Sequence, residues 1–249
     1  MSSSTGNFKP LKSGLPWLIL GAAGLLLRPL ERTGATTAAS AGQSAEQMVA
    51  LAGQGGSLAV MGGMRSMVAS GFWLRTNLAW ERCDQAGTTA LLDLTVAADE
   101  RPLYFWLNGA RMLAYDFPEW RLGAAPVPQA VRQRVIEEQA RVALGFLERG
   151  LRWHGPAAEL FIEMANIHLR QLGDLQNAAR CYRLAAERPG APYYAARIHG
   201  ELLQAMGRPR EALHWLREIL PGLPGDDPAA RREVVLERIA VLERELGAR

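Results

Sequence analysis

Two segments of this chain match each other at a distance of 34 residues: LRQLGDLQNAARCYR at 169–183 and LQAMGRPREALHWLR at 203–217. Gly173 and Gly207 fall where the chain would turn between two helices, and Ala178 and Ala212 fall in the helix that follows. Such a period is typical of helical hairpin arrays, in which stacked neighbours bury a continuous core. The match therefore predicts an all-α chain built from antiparallel helical hairpins.

The second of these units resembles the tetratricopeptide-repeat family. Counted from Tyr193, Gly200 takes the small eighth position, Ala212 takes the small twentieth position and Pro224 takes the thirty-second position. Ala196 departs from the pattern, because the family carries a large residue at the fourth position. The resemblance implies that small residues let two helices approach closely while large residues fill the spaces opposite.

The first unit fits the same pattern only after its first helix is moved by one residue. Ala165 then takes the small position that a simple 34-residue shift would give to Asn166. We therefore expect one inserted residue in the turn between Arg170 and Asp174. The resemblance covers residues 157–224 and implies a right-handed solenoid of stacked hairpins.

Composition and turn residues divide the rest of the chain. A helical pattern runs from about Leu58 to Gln85 and is weakened at Gly62-Gly63. This stretch and the later aromatic segment Tyr104–Tyr115 also resemble uncharacterised membrane-anchored bacterial repeat proteins. Asp226-Asp227-Pro228 is expected to cap the last helix. The predicted order is a polar tail at 1–14, a single apolar helix at 15–32, a flexible linker at 33–43, divergent hairpins at 44–156, two tetratricopeptide-like repeats at 157–224 and a capping helix at 225–249.

An uncharged apolar run, LPWLILGAAGLLL, occupies residues 15–27. Its length matches the core of a signal peptide better than a full membrane span of about 20 residues. Arg28 can extend the run by placing its charge at the interface, and the charged segment that follows is unlike a cleavage region. We expect an uncleaved signal anchor that contacts the membrane through Leu15–Leu30. A cleaved signal peptide, with Ala39-Ser40-Ala41 as its cleavage site, and a peripheral or buried apolar helix stay open as alternatives.

The orientation of this anchor is weakly encoded, because basic residues stand on both sides of the run. Lys9 and Lys12 precede it, while Arg28 and Arg32 follow it. A short N-terminal tail that stays inside would place the large domain on the extracytoplasmic side of the membrane. We expect that orientation.

Charge and motif content exclude several classes of function. The 28 basic and 25 acidic residues are interspersed, so they form no basic stripe for nucleic acid. Cys83 and Cys181 are too far apart for a metal or redox motif, and both fall in helical patterns where a cysteine is usually buried. The four histidines lack metal-ligand spacing, and nucleophile, phosphate-loop and paired-carboxylate motifs are missing from the sequence. We expect no catalytic activity, no cofactor, no metal and no small-molecule substrate.

The family resemblance implies a groove that is lined by the first helices of the hairpins and binds a protein or peptide partner. The polar residues expected to line it are Asn166, Arg170, Tyr194, Arg197, Glu201 and Gln204. The family's carboxylate clamp, with a basic residue at the fifth position and Asn at the ninth, is not supported, because Glu201 stands at the ninth position after Arg197. A solvated helix face with i,i+4 ion pairs is the alternative for each of them.

The densest aromatic cluster lies between residues 104 and 120, and most of it is expected to pack between two hairpins. Pro118, Pro126 and Pro128 are expected to bound a loop. Tyr104, Trp106 and Trp120 are candidates for a partner-binding hot spot, since Trp and Tyr are enriched in such sites.

These observations together predict a membrane-anchored scaffold that mediates protein–protein interaction. A constitutive structural subunit of a membrane-associated complex is the first alternative. An enzyme with an atypical site between the upstream hairpins is the second.

Overall fold

The computed structural model describes residues 64–124 and 126–247, and every regular element within these ranges is helical. The prediction of an all-α chain is therefore confirmed for this part. The helices are α1 (Arg65–Glu81), α2 (Gln85–Ala98), α3 (Leu103–Arg111), a π-helical turn (Met112–Asp116), α4 (Phe117–Leu122), α5 (Gln129–His154), α6 (Ala158–Arg170), α7 (Leu175–Ala186), α8 (Tyr193–Ala205), α9 (Pro209–Ile219), a 3₁₀ turn (Leu220–Gly222) and α10 (Arg232–Gly247).

The predicted tail at 1–14, apolar helix at 15–32 and linker at 33–43 lie outside the described residues. Among the helices just given, none is both long enough and apolar enough to cross a membrane.

Helices that follow each other in the chain pack together as hairpins. α1 packs against α2, α6 against α7 and α8 against α9, while α7 also packs against α8 and α9 against α10. The α6–α7 and α8–α9 turns each contain a glycine in the left-handed region, Gly173 with φ 61° and Gly207 with φ 72°. Glycine adopts this conformation without the steric cost that a side chain imposes. The conformation of the turn therefore favours the glycine that the two hairpins share.

The two C-terminal hairpins differ by one inserted residue, as expected. α8 begins 35 positions after α6, whereas α9 begins 34 positions after α7. Ala165 and Gly200 are therefore equivalent, and both are buried. A Cβ atom added at Gly200 would lie 3.0 Å from Cδ2 of Leu216, so α8 and α9 approach closely at this point.

α3, the π-helical turn and α4 form one continuous helix, interrupted by Pro118 near its end. Proline has no N–H to donate to the carbonyl of Ala114, and its ring crowds that carbonyl. The backbone widens in response, and the N–H of Phe117 bonds to the carbonyl of Met112, five residues back. The expectation that Pro118 bounds a loop is wrong, because the wider turn accommodates it inside the helix.

Two further local expectations are wrong. The last helix begins at Arg232, and Asp227 accepts a hydrogen bond from the N–H of Ala229 at 2.8 Å, which forms a turn before the helix. Cys181 is buried as expected, but Cys83 is exposed in the α1–α2 turn with φ 55°. The helical pattern ends two residues before Cys83, because Asp84 caps α2 by accepting from the N–H of Gly87 at 2.9 Å.

Candidate functional site

A polar pocket of about 380 Å³ opens between the π-helical turn and α6. Its lining residues are Arg111, Tyr115, Asp116, Glu163, Asn166 and Arg170. Two of the predicted groove residues, Asn166 and Arg170, therefore lie side by side in one concave site. The sequence did not predict the other four lining residues. Only Glu163 stands out, as an acidic residue inside the apolar run 160–165.

An ion pair between a half-exposed arginine and a buried carboxylate lies in the pocket. The Nε and Nη2 atoms of Arg111 donate to Oε2 of Glu163 at 3.0 and 2.8 Å. The Glu163 side chain is 4% exposed and the Arg111 side chain is 53% exposed. The hydrogen bond to Glu163 raises the pKa of Arg111 above its ordinary value. A buried carboxylate is costly without a cationic partner, so Arg111 stabilises Glu163 in this position.

A hydrogen bond from the neighbouring helix orients the Asn166 amide. The hydroxyl of Tyr182, on α7, donates to Oδ1 of Asn166 at 2.7 Å. Burial raises the pKa of Tyr182, which keeps this hydroxyl protonated and able to donate. Because Oδ1 is engaged, the Nδ2 donors are the part of the Asn166 amide that can bind a ligand.

The π-helical turn places Tyr115 and Asp116 on the opposite wall. Nε1 of Trp80, on α1, donates to Oδ2 of Asp116 at 2.7 Å and ties the turn to the first hairpin. Burial, followed by the charge of Glu163, raises the pKa of Tyr115 to about 12. The Tyr115 hydroxyl therefore stays neutral at physiological pH. Single π-helical turns within α-helices occur frequently at functional sites.

The remaining predicted groove residues lie on α8 and do not line the pocket. Arg197 donates from Nη1 to the carbonyls of Ala229 and Ala230 at 3.1 and 3.0 Å, so it holds the turn before α10. Burial lowers the pKa of Arg197. Glu201 is exposed and Gln204 is half-buried.

Tyr194 lies closer to the pocket than the other α8 candidates. Its hydroxyl contributes to the raised pKa of Arg111, after the larger effect of Glu163, and to the raised pKa of Tyr182, after the larger effect of burial. The Tyr194 side chain is exposed and is not one of the lining residues of the pocket.

The three aromatic hot-spot candidates have different environments. Trp106 is 2% exposed, packs on Phe146 with ring centroids 4.9 Å apart and donates from Nε1 to the carbonyl of Glu100 at 2.8 Å. Trp106 is therefore a core residue, and its assignment to a partner-binding surface is wrong. Trp120 is half-buried and stacks on neighbouring aromatic rings, whereas Tyr104 is exposed.

The pocket contains two arginines and two carboxylates, but their roles differ. Glu163 and Asp116 already accept hydrogen bonds from within the fold. The other lining groups are mainly donors: the Arg170 guanidinium, the Asn166 amide and the Tyr115 hydroxyl. A ligand that offers hydrogen-bond acceptors, such as the carbonyls and polar side chains of a peptide, matches this arrangement.

Metal chemistry has no visible basis in this part of the chain. Across residues 64–124 and 126–247, no three His, Cys, Asp or Glu side chains are grouped so that they could hold a metal ion.

No family model matches the sequence, and no curated protein matches it either.

Proposed function

We propose that this chain is a tetratricopeptide-like scaffold, tethered to a membrane by residues 15–32, which binds a segment of a partner protein in the polar pocket. The observation that carries the proposal is the meeting of Asn166 and Arg170 with Arg111 and Tyr115. These residues come from two consecutive helical units, as expected for a groove that crosses a stacked array. The large domain is proposed to lie on the extracytoplasmic side.

The chemistry of the pocket favours recognition over catalysis. The one deeply buried carboxylate of the lining, Glu163, is bound by Arg111, and burial keeps the Tyr115 hydroxyl neutral. The neutral Tyr115 hydroxyl can therefore donate a hydrogen bond but does not act as a base near neutral pH. Positioned donors on rigid helices give orientation and specificity to a bound peptide.

Site-directed photo-crosslinking in intact cells tests the pocket. A photo-reactive amino acid replaces Arg170 in the full chain, and the matched control replaces Arg141, an exposed arginine on α5 outside the pocket. We expect a discrete protein adduct from position 170 that is missing from position 141. Adding Asn166→Ala should reduce its yield about tenfold, equivalent to one lost hydrogen bond of about 1.4 kcal/mol. No adduct at position 170, or the same adducts at both positions, would contradict the proposal.

A truncation tests the anchor separately. A chain that lacks residues 1–32 should keep its helical far-UV circular dichroism and no longer sediment with membranes. Continued sedimentation of the truncated chain would exclude the anchor while leaving the pocket hypothesis in place.

A further inference from the structure

An exposed aromatic pair, called here the aromatic platform, lies on the same face of α3 as one wall of the polar pocket. Tyr104 is 56% exposed and Trp73, on α1, is half-buried, and their ring centroids are 5.3 Å apart in an edge-on arrangement. Tyr104 precedes Arg111 by seven residues, which make almost two full turns of α3. The two side chains therefore leave the helix in nearly the same direction, about 10 Å apart along its axis.

A buried ring holds the aromatic platform in place. The Trp73 ring packs on Phe105 with centroids 5.4 Å apart, and the Tyr104 ring packs on the same Phe105 at 6.0 Å. Phe105 is 7% exposed, so it supports both rings from behind. Tyr and Trp side chains offer a large contact area with few rotations to freeze on binding, and they are enriched in binding hot spots. The exposed part of Tyr104 is therefore a preorganised apolar surface.

An asparagine follows each ring of the platform by one helical turn. Nδ2 of Asn77 donates to the carbonyl of Trp73 at 2.8 Å, and Nδ2 of Asn108 donates to the carbonyl of Tyr104 at 2.9 Å. These bonds orient both amides, and within the described residues neither Oδ1 accepts a hydrogen bond. Each Oδ1 can therefore accept from a backbone N–H of a peptide that lies beside the platform.

We propose that the aromatic platform binds a proline or aromatic ring of the same partner segment whose acceptor groups enter the polar pocket. This inference rests on the proposed function, because it assigns a second contact to that segment. Peptides in the polyproline II conformation dock on aromatic-lined grooves, which the platform resembles in chemistry. Such a chain advances about 3.1 Å per residue, so three residues cover the roughly 10 Å between Tyr104 and Arg111. The segment therefore carries its ring about three residues from an acidic or amide side chain.

Selection from a phage library of random octapeptides tests the two contacts separately. Each peptide is displayed between glycine linkers, so it has no free terminal carboxylate, and is selected on the full-length chain in detergent. We expect Pro, Phe, Tyr or Trp to be enriched about three residues from Asp, Glu, Asn or Gln. Tyr104→Ala should reduce the ring preference at least about tenfold, as for a hot-spot residue, and keep the acceptor preference. Arg170→Ala should have the opposite effect.

Matched variants identify the contribution of the ring at position 104. Tyr104→Phe keeps the ring and should keep the preference, whereas Tyr104→Leu, a milder change than alanine, should reduce it. Trp153→Ala is the control, because Trp153 is 63% exposed on α5 and packs on no other aromatic ring of the described residues. It should select the same peptides as the intact chain, and far-UV circular dichroism checks that each variant is folded.

The outcomes separate this inference from the proposed function. An acceptor preference without a ring preference overturns the inference and leaves the proposed function in place. A ring preference that survives both Tyr104→Ala and Tyr104→Leu has the same meaning. If the intact chain shows no acceptor preference, the proposed function fails and the shared segment fails with it.

Discussion

Replacing Arg111 with alanine should destabilise the protein by about 2–3 kcal/mol, because the Glu163 carboxylate loses its cation. Removing one partner of a fully buried ion pair costs about 3–5 kcal/mol. Here Arg111 is half-exposed, so water can reach one side of the pair and replace part of the interaction. The expected loss lies in the upper part of the range for hydrogen bonds to a charged acceptor, about 1.5–3 kcal/mol.

Urea unfolding followed by circular dichroism measures this loss, which should also lower Tm by about 4–12 °C for a chain of this size. The control is Arg141→Ala, since Arg141 is 69% exposed and pairs with Glu137 one turn away on the same helix. Such a pair is worth about 0.3–0.5 kcal/mol. Adding Glu163→Gln to Arg111→Ala should restore part of the stability, because the buried charge is removed. Equal losses from the two arginine variants would refute the reasoning.

Two other predictions concern packing and acid stability. Gly109→Ala should destabilise the protein by about 1–2 kcal/mol, because the added Cβ would lie 2.9 Å from Phe146; Gly145→Ala, with nothing within 4 Å, should stabilise α5 by about 0.5–1 kcal/mol in the same thermal melts. The hydrogen bond from Arg101 lowers the pKa of Asp99 from 3.8 to about 2. The ionised Asp99 therefore contributes its full share to the free energy of unfolding above pH 3.8, and this share is lost as the pH falls towards 2. Asp99→Asn should therefore flatten the dependence of the urea midpoint on pH within that window, and an unchanged slope would count against it.

The helical hairpins near the C-terminus were predictable because their signals are local. A left-handed turn residue favours glycine, and a close approach of two helices favours a small residue. Gly173 therefore indicates the turn, and Ala165 indicates where the helices approach. The inserted residue followed from the same spacing. Pro118 gives the opposite signal in the sequence, because a helix usually ends before a proline. Here Trp120 packs against Trp80 of the first hairpin, and Phe117 is buried and packs on Trp120, which holds the helix together through a wider turn.

Only the α6 side of the polar pocket was predictable from the sequence. Asn166 and Arg170 lie on a helix whose register the repeat defines, whereas Arg111 reaches Glu163 across 52 positions of sequence that no spacing rule connects. Trp106 was misassigned because aromatic content does not distinguish a core from a binding surface. The sequence does not show which residue faces Trp106 in the fold. That residue is Gly150, where an added Cβ would lie 3.0 Å from the Trp106 ring, so this glycine makes room for the indole.

The π-helical turn sets the rotational phase of the long helix that it interrupts. It holds one residue more than an α-helical turn, so the residues after it are rotated by about 100° relative to an uninterrupted helix. Deleting one residue within 112–116 would shorten this turn and rotate Trp120 away from Trp80, whose ring centroid now lies 6.2 Å away. Among homologous sequences, a one-residue gap at this point would mark chains that have lost one wall of the pocket without any substitution in its lining.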